Sequence, residues 1–340
     1  MTSGIFVQNG AATPLGGGRA RSFEELLAPL PLAEFFAKHL DRKPLYLTGH
    51  AARYAGLFSW AELEDIAYRN SRSLSGDDLR VLRMISDAPG AAFRFDEVAI
   101  PEPALFDRSD WMRGRYRDGY SFYFKQLHSH SSALARLAQE MRLLLNGEVT
   151  VSAYLTPPRA RGLPGHYDTE DVLILQIEGV KHWRLYRGDW PELPAHRHQD
   201  TPPPGADVTP VELRPGDLLY LPRGVAHEPS TRAEPSLHLT VAFYPFRWME
   251  LIKAICERAS GDEPALFGRV PCGPGAAQAS RAALRQGLTQ ALKALQRSGM
   301  ADRTLQEQRH KLREAATAEG DLFGDRDPVV QAGDECAEEK

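Results

Sequence analysis

The 340-residue chain is 42% hydrophobic and 25% charged, which is ordinary globular composition and excludes a fibrous, coiled-coil or wholly disordered protein. Its 41 Lys and Arg residues against 45 Asp and Glu residues give a formal net charge of −4, so no basic field predicts a nucleic-acid partner. No apolar run approaches the roughly 20 residues of a membrane span, and the N-terminal residues lack the pattern of a signal peptide. Three widely spaced cysteines predict neither a disulfide framework nor a zinc cluster. Because a chain without disulfides fits a reducing compartment, we expect a cytoplasmic protein.

Helical patterns dominate the first part of the chain. Residues 1–21 are rich in Gly, Ala, Ser and Thr and are expected to be disordered. Apolar spacing and capping residues predict helices over Phe23–Leu27, Leu32–Leu40, Trp60–Tyr68 and Ser132–Leu145, and a strand over Val81–Ile85.

From Val149 the pattern changes to short strands separated by Pro and Gly. The predicted strands are Val149–Leu155, Val172–Ile177, His182–Tyr186, Val211–Leu213, Asp217–Leu221 and Leu237–Phe243. Because they follow one another closely without helices between them, they predict a β-sandwich or a double-stranded barrel. Helical patterns return after Phe246, over Trp248–Arg258, Gln278–Gln296 and Asp302–Thr317.

The segment Gly165-His166-Tyr167-Asp168 carries the most informative side chains. On a strand, His166 and Asp168 point to the same face, so an imidazole and a carboxylate could hold one metal ion. His227 follows a Pro-Gly-Asp turn and a strand, an order that can return a second imidazole to the same ion. Two histidines and one carboxylate are the ligands of non-haem Fe(II), although Zn, Mn, Ni or Co also suit them. The alternative is a pair of hydrogen-bonded structural histidines, which this context makes the weaker interpretation.

Lys181 lies just beyond the predicted Glu178-Gly179 hairpin turn. If its strand lines a barrel, an inward ammonium is costly unless it is paired with an anion. A dicarboxylate that chelates the metal at one end and meets Lys181 at the other would satisfy both groups. The alternative is a solvated lysine at a hairpin.

Other polar clusters predict surface segments instead of sites. His128 and His130 are interpreted as a solvated turn, and His196 and His198 as part of a Pro-rich surface loop. The basic and aromatic residues Trp111, Arg113, Arg115, Tyr116 and Arg117 are interpreted as a charged surface segment, in preference to a peptide or nucleic-acid contact.

The metal-site segment, Gly162–Tyr186, resembles the core of the JmjC ribosomal oxygenases, which are Fe(II)- and 2-oxoglutarate-dependent protein hydroxylases of the cupin superfamily. The resemblance extends from about residue 30 to about residue 275 and includes Phe35–Gly49, Val151–Pro158, Leu213–Glu228 and Ser236–Phe243. It implies a mixed α+β fold with a double-stranded β-helix (a cupin or JmjC jelly roll) at its core and flanking helices. The implied organisation is a catalytic domain over 22–246, a helical dimerisation region over 247–275, a helical or reduced winged-helix region over 276–330, and a tail over 331–340.

The same resemblance assigns roles to individual residues. It implies that His166, Asp168 and His227 hold iron, that Lys181 binds the distal carboxylate of 2-oxoglutarate, and that Tyr154 and Thr240 line the cosubstrate pocket. The cosubstrates would be 2-oxoglutarate and O2, and the substrate a side chain of a protein or peptide, with histidine in a ribosomal protein as the first choice. A homodimer is expected, with no direct nucleic-acid or membrane partner.

Two positions depart from the histidine-hydroxylating branch of this family. Ser152 stands where that branch usually has asparagine, and Ala242 stands where serine is common. These departures keep open a second function, a hydroxylase that tailors a peptide natural product. A third function is a metal-binding cupin that is not an oxygenase, although the complete set of metal ligands and Lys181 argue against it.

Overall fold

Strand β12 lies at the centre of the larger of two β-sheets. The computed structural model describes residues 6–8, 21–70, 75–84, 95–101, 108–186, 207–262, 285–290, 292–293, 296 and 300–320. The strands are β1 Phe6–Gln8, β2 Leu45–Leu47, β3 Leu79–Met84, β4 Phe95–Val98, β5 Ser121–Phe124, β6 Gly147–Thr156, β7 Asp171–Gly179, β8 Lys181–Tyr186, β9 Val208–Leu213, β10 Leu218–Leu221, β11 His227–Ser230 and β12 Ser236–Pro245. The larger sheet has the order β1-β2-β10-β7-β12-β6-β5-β3-β4, and the smaller sheet has the order β11-β8-β9.

The two sheets form the predicted double-stranded β-helix. β12 pairs antiparallel with β6 over its whole length and with β7 on its other side. An inner apolar cluster joins the sheets, with Val172 and Ile174 from β7, Trp183 and Leu185 from β8, and Leu219 from β10 among its buried members. The mixed α+β class predicted from the sequence is therefore confirmed.

Helices accompany the two sheets, and the first five of the described ones pack on the outer face of the larger sheet. The helices are α1 Phe23–Leu27, α2 Leu32–Lys38, α3 Trp60–Arg69, α4 Arg108–Arg117, α5 Ser132–Leu145, α6 Trp248–Asp262 and α7 Met300–Gly320, with a 3-10 helix at Leu127–Ser129. Ser22 and Ser59 cap α1 and α3, because each side chain accepts a hydrogen bond from a first-turn backbone N–H. The larger apolar core lies between α1 to α5 and the outward side chains of the sheet, whereas α7 packs on α5. No helix within the described ranges combines the length and the apolar character needed to cross a membrane.

The structure corrects the sequence-based elements at several places. The prediction of disorder over 1–21 is wrong for Phe6–Gln8, which pair in parallel with Leu45–Leu47; most of the other residues of that range lie outside the described ones. Helix α4 and the short strands β4 and β5 were not predicted. Helix α5 is confirmed with the predicted bounds.

Several C-terminal predictions fall wholly or partly outside the described residues. Of the predicted helix Gln278–Gln296, residues 285–290 and 292–293 are described and helical. The predicted tail over 331–340 lies outside the described residues. The described helices α6 and α7 pack on each other through Leu251, Ile255 and Leu305.

Candidate active site

His166, in the segment before β7, lies beside His227, the first residue of β11. His166 N–H donates to the His227 carbonyl at 3.0 Å, and His227 N–H donates to the His166 carbonyl at 2.7 Å. These two hydrogen bonds join residues that are far apart in the chain and hold their imidazole rings 4.5 Å apart between centroids. The carbonyl of Asp168 accepts a 2.8 Å hydrogen bond from Gly224 N–H, in the loop before β11. The backbone therefore brings all three predicted metal ligands together.

The side chains of these three residues form a compact donor set, because one atom from each lies within 4.8 Å of the others. His166 Nε2 is 3.5 Å from Asp168 Oδ1, and His227 Nε2 is 3.6 Å from Asp168 Oδ2. The opposite ring nitrogens, Nδ1, lie 2.8 Å from the Pro164 carbonyl and 2.9 Å from the Val225 carbonyl, respectively. Since a carbonyl only accepts, each Nδ1 carries the proton and each Nε2 presents a lone pair. Burial lowers the pKa of His227 to about 4, which keeps that imidazole neutral and ready to bind a metal.

Lys181 lines the same narrow cavity of about 40 Å³ as the three metal-ligating side chains. It is 2% exposed, so the interpretation as a solvated hairpin lysine is wrong. Its Nζ donates a 2.6 Å hydrogen bond to Thr156 Oγ1, and burial lowers its pKa to about 7. Within the described ranges, no carboxylate lies within ion-pair distance of this amine. An anion that entered the cavity would therefore meet a buried cation without a competing partner.

Tyr154 and Thr240 also line this cavity, so the structure places all six predicted site residues around one space. In the register of β6 and β12, Tyr154 lies opposite His238. The Tyr154 ring stacks on the His238 ring at 5.1 Å and on the Tyr123 ring at 4.4 Å between centroids. This aromatic stack gives the cavity a rigid wall.

Known proteins resemble this chain over its barrel. The JmjC domain family matches residues 126–251, a range that contains all six of these residues. "Ribosomal oxygenase 2" of the rat, Rattus norvegicus, is 32% identical over 232 residues, which are 65% of this chain and 47% of the rat protein. The chain therefore contains a JmjC domain, and the sequence in and around it is similar to that of ribosomal oxygenases.

Two other known proteins are also similar to this JmjC chain. "Bifunctional lysine-specific demethylase and histidyl-hydroxylase NO66" of Aedes aegypti is 27% identical over 241 residues, which are 68% of this chain and 36% of that protein. "Structure of YcfD a Ribosomal oxygenase from Escherichia coli in complex with Cobalt and 2-oxoglutarate" has a TM-score of 0.55 at 18% identity and covers 83% of this chain and 71% of that chain. At that identity the likeness shows a shared fold. The chain spans about half the length of the first curated relatives that it matches.

Three further buried polar atoms of the JmjC cavity have no hydrogen-bond partner among the described residues. They are Ser121 Oγ, Trp183 Nε1 and His238 Nδ1. A buried polar group without a partner costs roughly 1–3 kcal/mol, and the indole nitrogen can only donate. A ligand with acceptor oxygens would relieve this cost. Together with the donor set and Lys181, these atoms fit a small carboxylate that also chelates a metal.

Among the side chains of this cavity that sequence reasoning missed, three lie two residues from one that it had found. Thr156 follows Tyr154 on β6, Trp183 follows Lys181 on β8, and His238 precedes Thr240 on β12. Residues two apart on a strand share a face, so the alternation that joined His166 to Asp168 could have found them. Burial holds the pKa of the His238 imidazole well below its usual range, with the Lys181 charge adding to the effect.

The two departures from the histidine-hydroxylating pattern lie on the same pair of strands. Ser152 is buried and lies opposite Thr240 in the register of β6 and β12. Ala242 is buried in the inner apolar cluster. Neither side chain brings an amide or a larger polar group to this part of the barrel.

The remaining histidines that the sequence singled out differ in outcome. The prediction of a solvated turn is wrong for His128, which is buried and whose Nδ1 accepts a 3.3 Å hydrogen bond from Val151 N–H. The hydrogen bond from the Val151 amide satisfies a ring nitrogen of His128, which explains why a buried imidazole is tolerated there. His196 and His198 lie outside the described residues.

The predicted charged segment is helix α4. Arg113 pairs with Asp110 at 2.7 Å and Arg115 pairs with Asp118 at 3.2 Å, as expected of residues three apart on a helix surface. Arg117 is exposed.

Proposed function

We propose that this chain is an Fe(II)- and 2-oxoglutarate-dependent oxygenase that hydroxylates a side chain of a protein or peptide. The observation that carries the proposal is one cavity with two kinds of group: three metal-ligating atoms within 4.8 Å of one another, and a buried lysine that has no carboxylate partner among the described residues. A scaffold protein needs no buried amine facing its metal, whereas a keto-acid oxygenase needs both groups.

His166, Asp168 and His227 would hold the metal through Nε2, a carboxylate oxygen and Nε2. Two imidazoles and one carboxylate occupy three positions of an octahedral ion and leave three positions for other ligands. When bound, Fe(II) with 2-oxoglutarate and O2 supplies the oxidation that converts a C–H bond to C–OH, with release of succinate and CO2.

The protein's own groups orient and enclose the cosubstrate. Lys181, with Thr156 beside it, would hold the distal carboxylate, and the orphaned indole N–H of Trp183 offers a further donor. Tyr154 and Thr240 would form the walls of the pocket. The inner apolar cluster excludes water, which strengthens the ion pair between Lys181 and the carboxylate.

Histidine in a ribosomal protein is the first substrate that we propose. The names of the rat and mosquito relatives support it, since one is called a ribosomal oxygenase and the other a histidyl-hydroxylase.

We also propose a cytoplasmic homodimer. Exposed apolar side chains on α6 support the dimer, because Trp248 is 80% exposed and Met249 is 59% exposed.

The deciding experiment is an anaerobic titration of Fe(II)-loaded protein with 2-oxoglutarate, followed by visible absorption. A keto acid that chelates Fe(II) through two oxygens gives a charge-transfer band, and we expect this band with the wild-type protein. His166→Ala and Lys181→Ala should abolish or weaken it. His182→Ala is the matched control, because His182 lies next to Lys181 on β8 but pairs with Glu212 outside the cavity.

The absence of a band from protein that holds one equivalent of Fe(II) would refute the oxygenase and favour a cupin without 2-oxoglutarate chemistry. If the band forms, histidine-containing ribosomal peptides can be incubated with the enzyme and O2, and mass spectrometry can detect one added oxygen. Turnover of a non-ribosomal peptide alone would move the assignment to a tailoring hydroxylase.

A further inference from the structure

A second cavity, of about 490 Å³, lies between α3 and α4. Its floor includes Phe122 and Phe124 from β5 and Leu155 from β6. Leu155 lies between Tyr154 and Thr156, which line the metal cavity, so it faces the opposite side of the sheet. The two cavities are therefore separate and share only the strands between them.

The second cavity is apolar and has ordered walls. Leu63 from α3 and Phe122 are buried, and Trp60 and Tyr116 pack edge to face at 6.4 Å between ring centroids. Cavities that bind small molecules commonly measure about 300–1,000 Å³ and are lined mainly by apolar and aromatic side chains with a few polar groups. Both the size and the lining of this cavity meet that description.

The charged side chains that line the cavity are Glu64, Arg113 and Arg117 among the described residues. Glu64 Oε1 accepts a 3.1 Å hydrogen bond from the Trp60 indole N–H, and Arg113 pairs with Asp110. Arg117 is exposed and has no ion-pair or hydrogen-bond partner within the described part of the chain. Glu64 and Arg117 are thus the two charges of the lining without an ion-pair partner among the described residues, and of the two only Arg117 also lacks a hydrogen-bond partner, so its guanidinium is the group that can receive an anionic ligand.

We propose that the cavity between α3 and α4 binds an amphipathic carboxylate, a small molecule with an apolar chain or ring system and one anionic end. The apolar part lies against Leu63, Phe122 and Leu155, where it removes apolar surface from water. The carboxylate meets Arg117, whose guanidinium matches the two oxygens of a carboxylate in a fork geometry. This site is independent of the metal cluster and of the proposed oxygenase reaction.

The test uses the full chain and sodium decanoate, with binding measured by equilibrium dialysis. We expect saturable binding of one decanoate per chain, with a Kd below about 1 mM. Ala67→Trp places an indole into the cavity from α3 and should weaken binding at least tenfold. Arg117→Gln should weaken it about two- to fivefold, as expected for one exposed ion pair. Arg136→Gln is the matched control, because Arg136 is exposed on α5 and does not line the cavity.

Decanamide, a neutral compound of similar length, tests the ligand class and should bind more weakly than decanoate to the wild-type chain. Circular dichroism and the metal-binding stoichiometry establish that each variant is folded. The proposal is overturned by any of three results: no saturable binding of decanoate, the same affinity in a folded Ala67→Trp variant, or decanamide binding as tightly as decanoate. An apolar peptide that binds where decanoate does not would mark the cavity as a protein-docking site and would also overturn it.

Discussion

Lys181 should take up a proton when 2-oxoglutarate binds, and the amount should depend on pH. Burial lowers the pKa of this amine from 10.5 to about 7 in the free protein. A carboxylate bound beside it stabilises the ammonium and raises the pKa again. Proton uptake should therefore be about 0.1 per bound cosubstrate at pH 6, about 0.5 at pH 7 and about 0.9 at pH 8.

Isothermal titration calorimetry measures this uptake directly. The titration is anaerobic, uses the metal-loaded protein, and is repeated in buffers with different enthalpies of ionisation, because the slope of heat against that enthalpy is the number of protons taken up. Affinity should fall by nearly tenfold per pH unit above about pH 8. Uptake near zero at pH 8 would refute the argument, since it would mean that the free amine is already charged.

The same burial has a consequence for stability. Between pH 7 and 10.5 the unfolded chain holds the lysine proton and the folded chain releases it, so the free energy of unfolding rises with pH over this window. Lys181→Met removes the amine and should stabilise the metal-free protein by up to about 4 kcal/mol at pH 7 and about 2 kcal/mol at pH 9. Urea denaturation at both pH values checks this. Lys38→Met, at an exposed site on α2, is the control and should change stability little. A Lys181→Met variant that is less stable than wild type at pH 7 would contradict the reasoning.

Three other predictions concern the metal ligands, the hairpin and a buried carboxylate. His227→Gln should weaken Co(II) binding by about 100-fold or more, measured by visible absorption, whereas His182→Gln should leave it unchanged. Gly179→Ala should lower the free energy of unfolding by about 2 kcal/mol or more, because Gly179 has a φ of +67° and a Cβ would overlap the Pro235 carbonyl; Gly114→Ala, inside α4 with open space around it, should stabilise slightly. Asp171 is fully buried, and burial raises its pKa to about 6. The folded chain therefore holds this proton more tightly than the unfolded chain, so the proton stabilises the fold below about pH 4, and this stabilisation is lost as the pH rises through 6. Asp171→Asn should therefore raise stability by up to about 3 kcal/mol at pH 7 and hardly at all at pH 4, and an equal effect at both pH values would argue against a raised pKa.

The elements that the sequence predicted well are those with strong local signals. Helix α5 has an apolar face that repeats at helical spacing and a left-handed Asn146 at its end, so its bounds were predictable. Helix α4 lacks such a face, because Arg and Gly interrupt its apolar positions, and its place in the fold comes from Trp111, Met112 and Tyr116 packing against the core. Strand β5 has four residues, and its pairing with β3 and β6 identifies it as a strand more clearly than its composition does.

The sequence by itself determined the kinds of group at the candidate site. The spacing of His166 and Asp168 predicted a shared face, and the turn before β10 predicted the return of His227, because these are local properties of backbone and side chain. The predicted face is confirmed without the predicted strand, because His166 forms only an isolated bridge and Asp168 lies outside β7. The tertiary structure alone decided the distances and the electrostatics. The backbone pairing of His166 with His227 spans some sixty residues, and the low pKa of Lys181 follows from its burial between two sheets. Both depend on which distant segments exclude water from the cavity, and no local pattern encodes that.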